Sequence, residues 1–112
     1  MKNIVDILKA LSDETRLRII NLLYLKELCV CDIVETLNIT QTKASRHLQY
    51  LKNAGLVEDR KSAQWVYYSM AEISDIKFLD SLIYENIRTQ EPFKSDLDSL
   101  EDWLKDRKRV CD

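Results

Sequence analysis

Apolar residues in the N-terminal half of the chain recur with a helical period. Ile4, Ile7, Leu8 and Leu11 occupy i, i+3, i+4 and i+7, one face of an amphipathic helix. Ser12-Asp13 supplies a cap for a second helix, expected from Glu14 to Lys26 with Leu17, Ile20 and Leu23 inward. Val30, Ile33, Val34 and Leu37 repeat the spacing in a short third helix. Asn38-Ile39-Thr40 then forms a tight break, with Thr40 as the cap of a fourth helix from Gln41 to Ala54. Its inner stripe is Ala44, Leu48 and Leu51. Gly55, the only glycine, follows where a helix most readily ends in a left-handed backbone.

After Gly55 the period changes. Leu56–Arg60 and Gln64–Met70 are rich in β-branched and aromatic residues and flank Lys61-Ser62-Ala63, which is expected to form a hairpin turn. That turn lacks the Asn-Gly or Asp-Gly pair of the tightest hairpins, which predicts a longer or mobile tip. A fifth helix is expected over Glu72–Arg88, with Ile76, Leu79, Leu82, Ile83 and Ile87 apolar. Pro92 breaks it. A last helix is expected over Ser95–Lys108, with Leu97, Leu100, Trp103 and Leu104 on one face. The pattern predicts a mainly α fold with a small β-hairpin: four helices, two strands, a fifth helix and a C-terminal helix. Residues 1–90 form the expected principal domain, and 91–112 a C-terminal helix and flexible tail.

A chain of 112 residues suits this plan. Its 46% hydrophobic and 32% charged residues are those of a globular protein. No apolar run approaches the roughly 18 residues of a membrane span. Met1–Asp13 lacks a basic segment followed by a long apolar stretch, so no secretory signal and a cytoplasmic location are expected. A single histidine, no glycine-rich phosphate loop and no nucleophile with a base partner argue against an enzyme.

The net charge of −2 does not advertise nucleic-acid binding, but its distribution does. Lys43, Arg46, Lys52, Arg60 and Lys61 cluster between residues 43 and 61 against only Glu58 and Asp59, whereas acids dominate from Glu72 to Asp106. Binding to phosphates depends on such a local patch. Two short helices joined by a three-residue turn, then a hairpin, make a winged helix-turn-helix. The outer face of the fourth helix carries Gln41, Thr42, Ser45, Arg46 and Gln49, suited to base edges of double-stranded DNA in the major groove. Thr42, Ser45 and the helix N-terminus suit phosphates. Arg60 and Lys61, at the hairpin tip, would reach a flanking backbone or minor groove. His47, between the inner stripe and this outer face, is expected to pack or to touch phosphate.

Three cysteines remain: Cys29, Cys31 and Cys111. An odd count argues against a disulfide framework and leaves metal binding or plain packing. In a regular third helix, Cys29 and Cys31 would lie about 100° to either side of Val30, with their thiols pointing apart. One ion could hold both only if the first turn opened or the helix began after Cys29. A helix N-terminus also favours thiolate.

Glu27-Leu28-Cys29-Val30-Cys31-Asp32-Ile33, Ser45-Arg46-His47-Leu48, Ala54-Gly55-Leu56-Val57, Asp59-Arg60-Lys61 and Gln64-Trp65-Val66-Tyr67-Tyr68 together resemble the ArsR/SmtB family of metal- and metalloid-responsive bacterial repressors, over about residues 3–88. The resemblance implies a homodimer joined through the first and fifth helices. It implies operator binding without metal, and release when an inducer binds. In the arsenic-responsive branch the pair matching Cys29 and Cys31 is the essential one. A third cysteine often follows three residues after the second, where this chain has Val34. For As(III) or Sb(III), with no organic cofactor, the third ligand is left to Cys111 of the same or the other subunit, to a water-derived oxygen or to a small thiol. The cadmium/lead branch adds N-terminal cysteines, which Met1–Leu28 lacks. The zinc branch uses histidines and acids of the fifth helix, where this chain has Asp75, Asp80 and Glu85 but no histidine. The alternatives are a cadmium-, lead- or zinc-responsive repressor, a thiol-redox repressor, or a thiol-based metal buffer that never touches DNA.

Overall fold

The structure, a computed structural model, describes residues 4–72 and 76–106. Helices α1 (Ile4–Leu11) and α2 (Glu14–Leu23) are followed by a two-residue strand β1 (Leu28–Cys29). Then come α3 (Val30–Leu37), α4 (Gln41–Asn53) and the hairpin strands β2 (Val57–Ser62) and β3 (Trp65–Met70). A fifth helix, α5, starts as α-helix over Ile76–Asp80, continues with π-helical geometry over Ser81–Asn86 and ends in a 3₁₀ turn over Ile87–Thr89. The last helix is α6 (Phe93–Asp106). Among the described residues, no helix is long and apolar enough to cross a membrane.

The expected caps form. The Asp13 carboxylate accepts from the Arg16 N–H at 3.0 Å, and the Thr40 hydroxyl accepts from the Lys43 N–H at 3.1 Å. Asn38 takes φ 57° between α3 and α4, and Gly55 takes φ 83° after α4. α2 is shorter than expected and is buried over five consecutive residues, Ile19 to Leu23. It is enclosed on all sides, which a one-face periodicity does not reveal. Asn21 sits inside this run at 0% exposure. Its amide donates to the Phe93 carbonyl at 3.1 Å and accepts from Arg88 Nε at 2.9 Å, so a buried polar group is satisfied by the chain around Pro92.

β1 was not foreseen. It pairs antiparallel with β3, Leu28 opposite Tyr68 and Cys29 opposite Tyr67, to give a sheet ordered β1-β3-β2. β2 and β3 pair from Val57 opposite Met70 out to Ser62 opposite Trp65. Lys61 and Ser62 are therefore strand residues. The turn is the two-residue Ala63-Gln64, with Ala63 at φ 56°, rather than a long tip at Lys61-Ser62-Ala63. Continued cross-strand pairing wins over the missing Asn-Gly signal. Arg60 consequently lies within the strand and not at the tip.

The core joins Ile19, Ile20, Leu22, Leu28, Ile33, Leu48, Leu51, Leu56, Leu79, Ile83 and Leu100, all essentially without solvent contact. In α1 only Ile7, Ala10 and Leu11 are buried, while Ile4, Val5 and Leu8 are about half exposed. α6 begins at Phe93, two residues earlier than expected, and packs on α2 and α3. The Arg18 guanidinium grips the Asp96 carboxylate through two bonds of 2.8 Å.

Candidate thiol site and nucleic-acid interface

Cys29 ends β1 and caps α3, with extended backbone (φ −86°, ψ 168°). The helix thus begins after Cys29, and the wheel that set the two thiols apart does not apply to it. The Sγ atoms of Cys29 and Cys31 lie 3.3 Å apart. Asp32, three residues after the cap, turns its carboxylate back. Its Oδ2 accepts from the Cys29 N–H at 3.0 Å and from the Cys29 thiol at 3.3 Å. This is a capping box with cysteine at the cap and aspartate at the third helical position. Two sulfurs and a carboxylate oxygen come within 4.8 Å of one another. Cys29 and Asp32 are buried and Cys31 is half-buried.

Burial pushes the Cys29 thiol above its ordinary value. The N–H groups of Asp32 and Cys31 pull it down, while the Asp32 charge and hydrogen bond raise it. The expected lowering by the helix N-terminus is therefore outweighed by loss of water and by an adjacent carboxylate. Cys111 lies outside the described residues.

The second surface of interest is α4. Gln41, Thr42, Ser45, Arg46 and Gln49 are all exposed, while Ala44, Leu48 and Leu51 are buried. Gln49 donates to the Asn53 side chain at 3.0 Å. His47 is half-buried, and burial, then Arg16, Lys43 and Arg46, lower its pKa against the opposing pull of Asp13. Its charged form is therefore disfavoured on this face. In the hairpin, Lys61 is exposed. Arg60 forks onto Glu27 at 2.7 and 2.8 Å and lies over the Tyr67 ring, 4.9 Å from its centroid.

The thiol site and the polar face of α4 are physically contiguous. α3 packs against α4, so the helix that starts at Cys29 supports the helix presenting Arg46. β1 is bonded to β3, so the same residue is tied to the hairpin, and Glu27, two residues before it, holds Arg60. Sequence reasoning named the cysteines and the polar face but missed Asp32, Glu27 and Trp103. The available signal was Asp32 at the third position after a cap. Trp103 had none, since its partner is 71 residues away.

Comparison with known proteins agrees with this anatomy. Residues 13–59 match the family model described as bacterial regulatory protein, arsR family. The chain is 50% identical over 66 residues to the arsenic resistance transcriptional regulator ArsR2 of Pseudomonas putida, covering 58% of this chain and 57% of that protein. It is 48% identical over 68 residues to the arsenical resistance operon repressor of Escherichia coli, covering 60% and 58%. A cadmium resistance regulatory protein CadC homolog of Staphylococcus aureus is 44% identical over 69 residues, covering 61% and 57%. The chain thus spans less than two thirds of the length of these relatives. Among solved structures, HlyU from Vibrio cholerae superposes with a TM-score of 0.68 at 35% identity, covering 74% of this chain and 89% of HlyU. The homodimeric winged helix-turn-helix DNA-binding domain of a possible ArsR-family regulator from Mycobacterium bovis gives 0.65 at 33%, covering 79% and 84%. With the winged helix-turn-helix, the Cys-Val-Cys-Asp start of α3 and these likenesses together, the chain belongs to the ArsR family of bacterial regulatory proteins, which are DNA-binding transcriptional regulators and not enzymes.

Proposed function

We propose that the chain is a cytoplasmic repressor that binds operator DNA as a homodimer and releases it when arsenite or antimonite engages Cys29 and Cys31. The observation that carries this is the 3.3 Å separation of the two sulfurs at the start of the helix that supports α4. Against the expectation of free thiols, Cys31 is disulfide-bonded in this structure, so the inducer engages the pair in the reduced chain. Thiolates select soft, thiophilic species. Metal–thiolate bonds are about 2.3 Å for zinc, so one ion of similar size reaches two sulfurs up to about 4.6 Å apart. Cys111 is assigned as the third sulfur. Gln41, Thr42, Ser45, Arg46 and Gln49 read or grip the DNA from α4, with His47 at the edge of that face and Arg60 and Lys61 on the wing. Support for arsenite comes from the two arsenic-resistance relatives.

The link between sites is a difference in inducer affinity between two shapes of the chain. Pulling Cys29 toward an ion competes with its capping bond to Asp32 and with β1–β3 pairing. Either change moves the start of α3 or the base of the wing, and so the angle at which α4 meets the groove. Homodimerisation is supported by the apolar side chains that α1 (Ile4, Val5, Leu8) and α5 (Phe78, Tyr84) leave in solvent.

The test is inducer competition on the preformed operator complex with arsenite, antimonite, cadmium, lead and zinc. Arsenite or antimonite is expected to release the DNA at the lowest concentration. Cys29→Ser and Cys31→Ser are expected to keep operator affinity and lose that release. Preferential release by cadmium would favour the second reading, a cadmium-responsive regulator, which the Staphylococcus relative recommends. Normal release from the doubly substituted chain would remove the thiol switch altogether.

A further inference from the structure

Among the described residues, one side chain far away in sequence reaches the thiol site. Trp103 Nε1 donates to Asp32 Oδ1 at 2.8 Å, while Oδ2 of the same carboxylate serves the Cys29 N–H and thiol. Asp32 is only 1% exposed, so in the folded chain its oxygens draw their hydrogen bonds from protein donors. α6 is fixed independently at its start, by Arg18 on Asp96 and by Asn21 on the Phe93 carbonyl. Asp96, Leu100 and Trp103 lie on one face of α6, at i, i+4 and i+7, so this anchor carries the indole two turns along to α3. The residues of α6 also lie beyond the 13–59 matched by the family model.

We propose that Trp103 is a positioning residue of the sensor: by holding the Asp32 carboxylate, it fixes the rotamer that caps α3 and orients Cys29 toward Cys31. This rests on the assignment of Cys29 and Cys31 as inducer ligands. The carboxylate has two oxygens with separate tasks. Trp103 on one of them leaves the other aimed at the Cys29 N–H. Without the indole N–H, Oδ1 loses this donor, and the hold on the carboxylate orientation that serves Cys29 is weakened. α6 thereby becomes part of the site and not only a cover for the core.

Trp103→Phe keeps a ring on α6 and removes the donor. Arsenite needed for half-release of the operator is expected to rise about tenfold, the effect of one hydrogen bond to a charged group. Operator affinity without arsenite is expected to stay unchanged. Asp32→Asn is expected to raise the requirement similarly. The double variant should be no worse than either single one, since both act through one carboxylate. A second readout does not depend on arsenite. In a chain with Cys31→Ser and Cys111→Ser, iodoacetamide should modify Cys29 several-fold faster once Trp103→Phe is added, with the thermal melt confirming a folded chain. Unchanged alkylation together with unchanged half-release would overturn the role of Trp103. A chain with intact cysteines that no thiophile releases would instead overturn the inducer assignment, and the alkylation rates would still decide the role of Trp103.

Discussion

His47 illustrates how far one residue's chemistry follows from its neighbours. Its imidazole is partly removed from water and faces Arg16, Lys43 and Arg46 with only Asp13 in opposition, so its pKa falls below the usual 6.5. The unfolded chain therefore takes up a proton before the folded one does. This contribution to stability is complete above about pH 6.5, declines as pH falls through the window below it, and levels off under the folded value. Urea midpoints measured from pH 7.5 to 5.5 should drop for the parent chain and drop less for His47→Gln. Equal slopes would mean that the burial does not control this group. The separately lowered Asp13 acts in a more acidic window, below 3.8, and does not obscure the test. The cysteines teach a related lesson. Periodicity reads Val30, Ile33, Val34 and Leu37 correctly as a helix, but leaves open whether it includes Cys29, which would set the thiols apart, or begins after it, as the structure has it. One residue at that boundary decides the chemistry, because an extended cap residue leaves the wheel entirely. The Asp32 carboxylate returning to the Cys29 N–H is what fixes that boundary.

At the scale of elements, the four N-terminal helices and the hairpin are legible because capping residues and Gly55 punctuate them. β1 is not, since two residues carry no period and the strand exists only because β3 offers an edge. That small strand matters more than its length suggests, because it joins the thiol site to the wing. Glu27 adds a side-chain tie by gripping Arg60, which in sequence looks available for phosphate. If the wing meets DNA as proposed, Glu27→Gln removes a negative charge beside it and releases the guanidinium. Operator affinity is expected to rise roughly two- to fivefold at low salt, because one repulsive charge is lost and one cation is gained within a Debye length. The plot of log affinity against log salt should steepen by about 0.9 for the added phosphate contact. A variant with the parental slope would mean that Arg60 keeps to Tyr67 and does not meet the backbone of the duplex.

For the whole molecule, the decisive question is which surfaces the fold leaves unfinished. α6 is finished: Leu100 is fully buried, and Arg18, Asn21 and Asp32 each receive or supply a bond to it. Its apolar stripe was readable in sequence, but its docking place was not, because the partners that select it are polar and distant along the chain. α1 is unfinished. Its four-residue stripe splits, with Ile7 and Leu11 entering the core while Ile4 and Leu8 stay outside beside Val5. A second copy of the same surface, contributed by the partner's α1 and α5, would cover them, as an isologous interface requires. Leu8→Glu should therefore leave the monomer folded, since Leu8 is 47% exposed and its replacement buries nothing new. The dimer, however, would have to bury two carboxylates. Sedimentation should report a monomer with an unchanged far-UV spectrum. Operator affinity should fall by about a hundredfold or more, because two linked reading helices give way to one. A Leu8→Glu chain that still sediments as a dimer would show that the copies meet elsewhere. The two α4 helices would then be spaced differently from what this pairing requires, and the operator's half-sites with them.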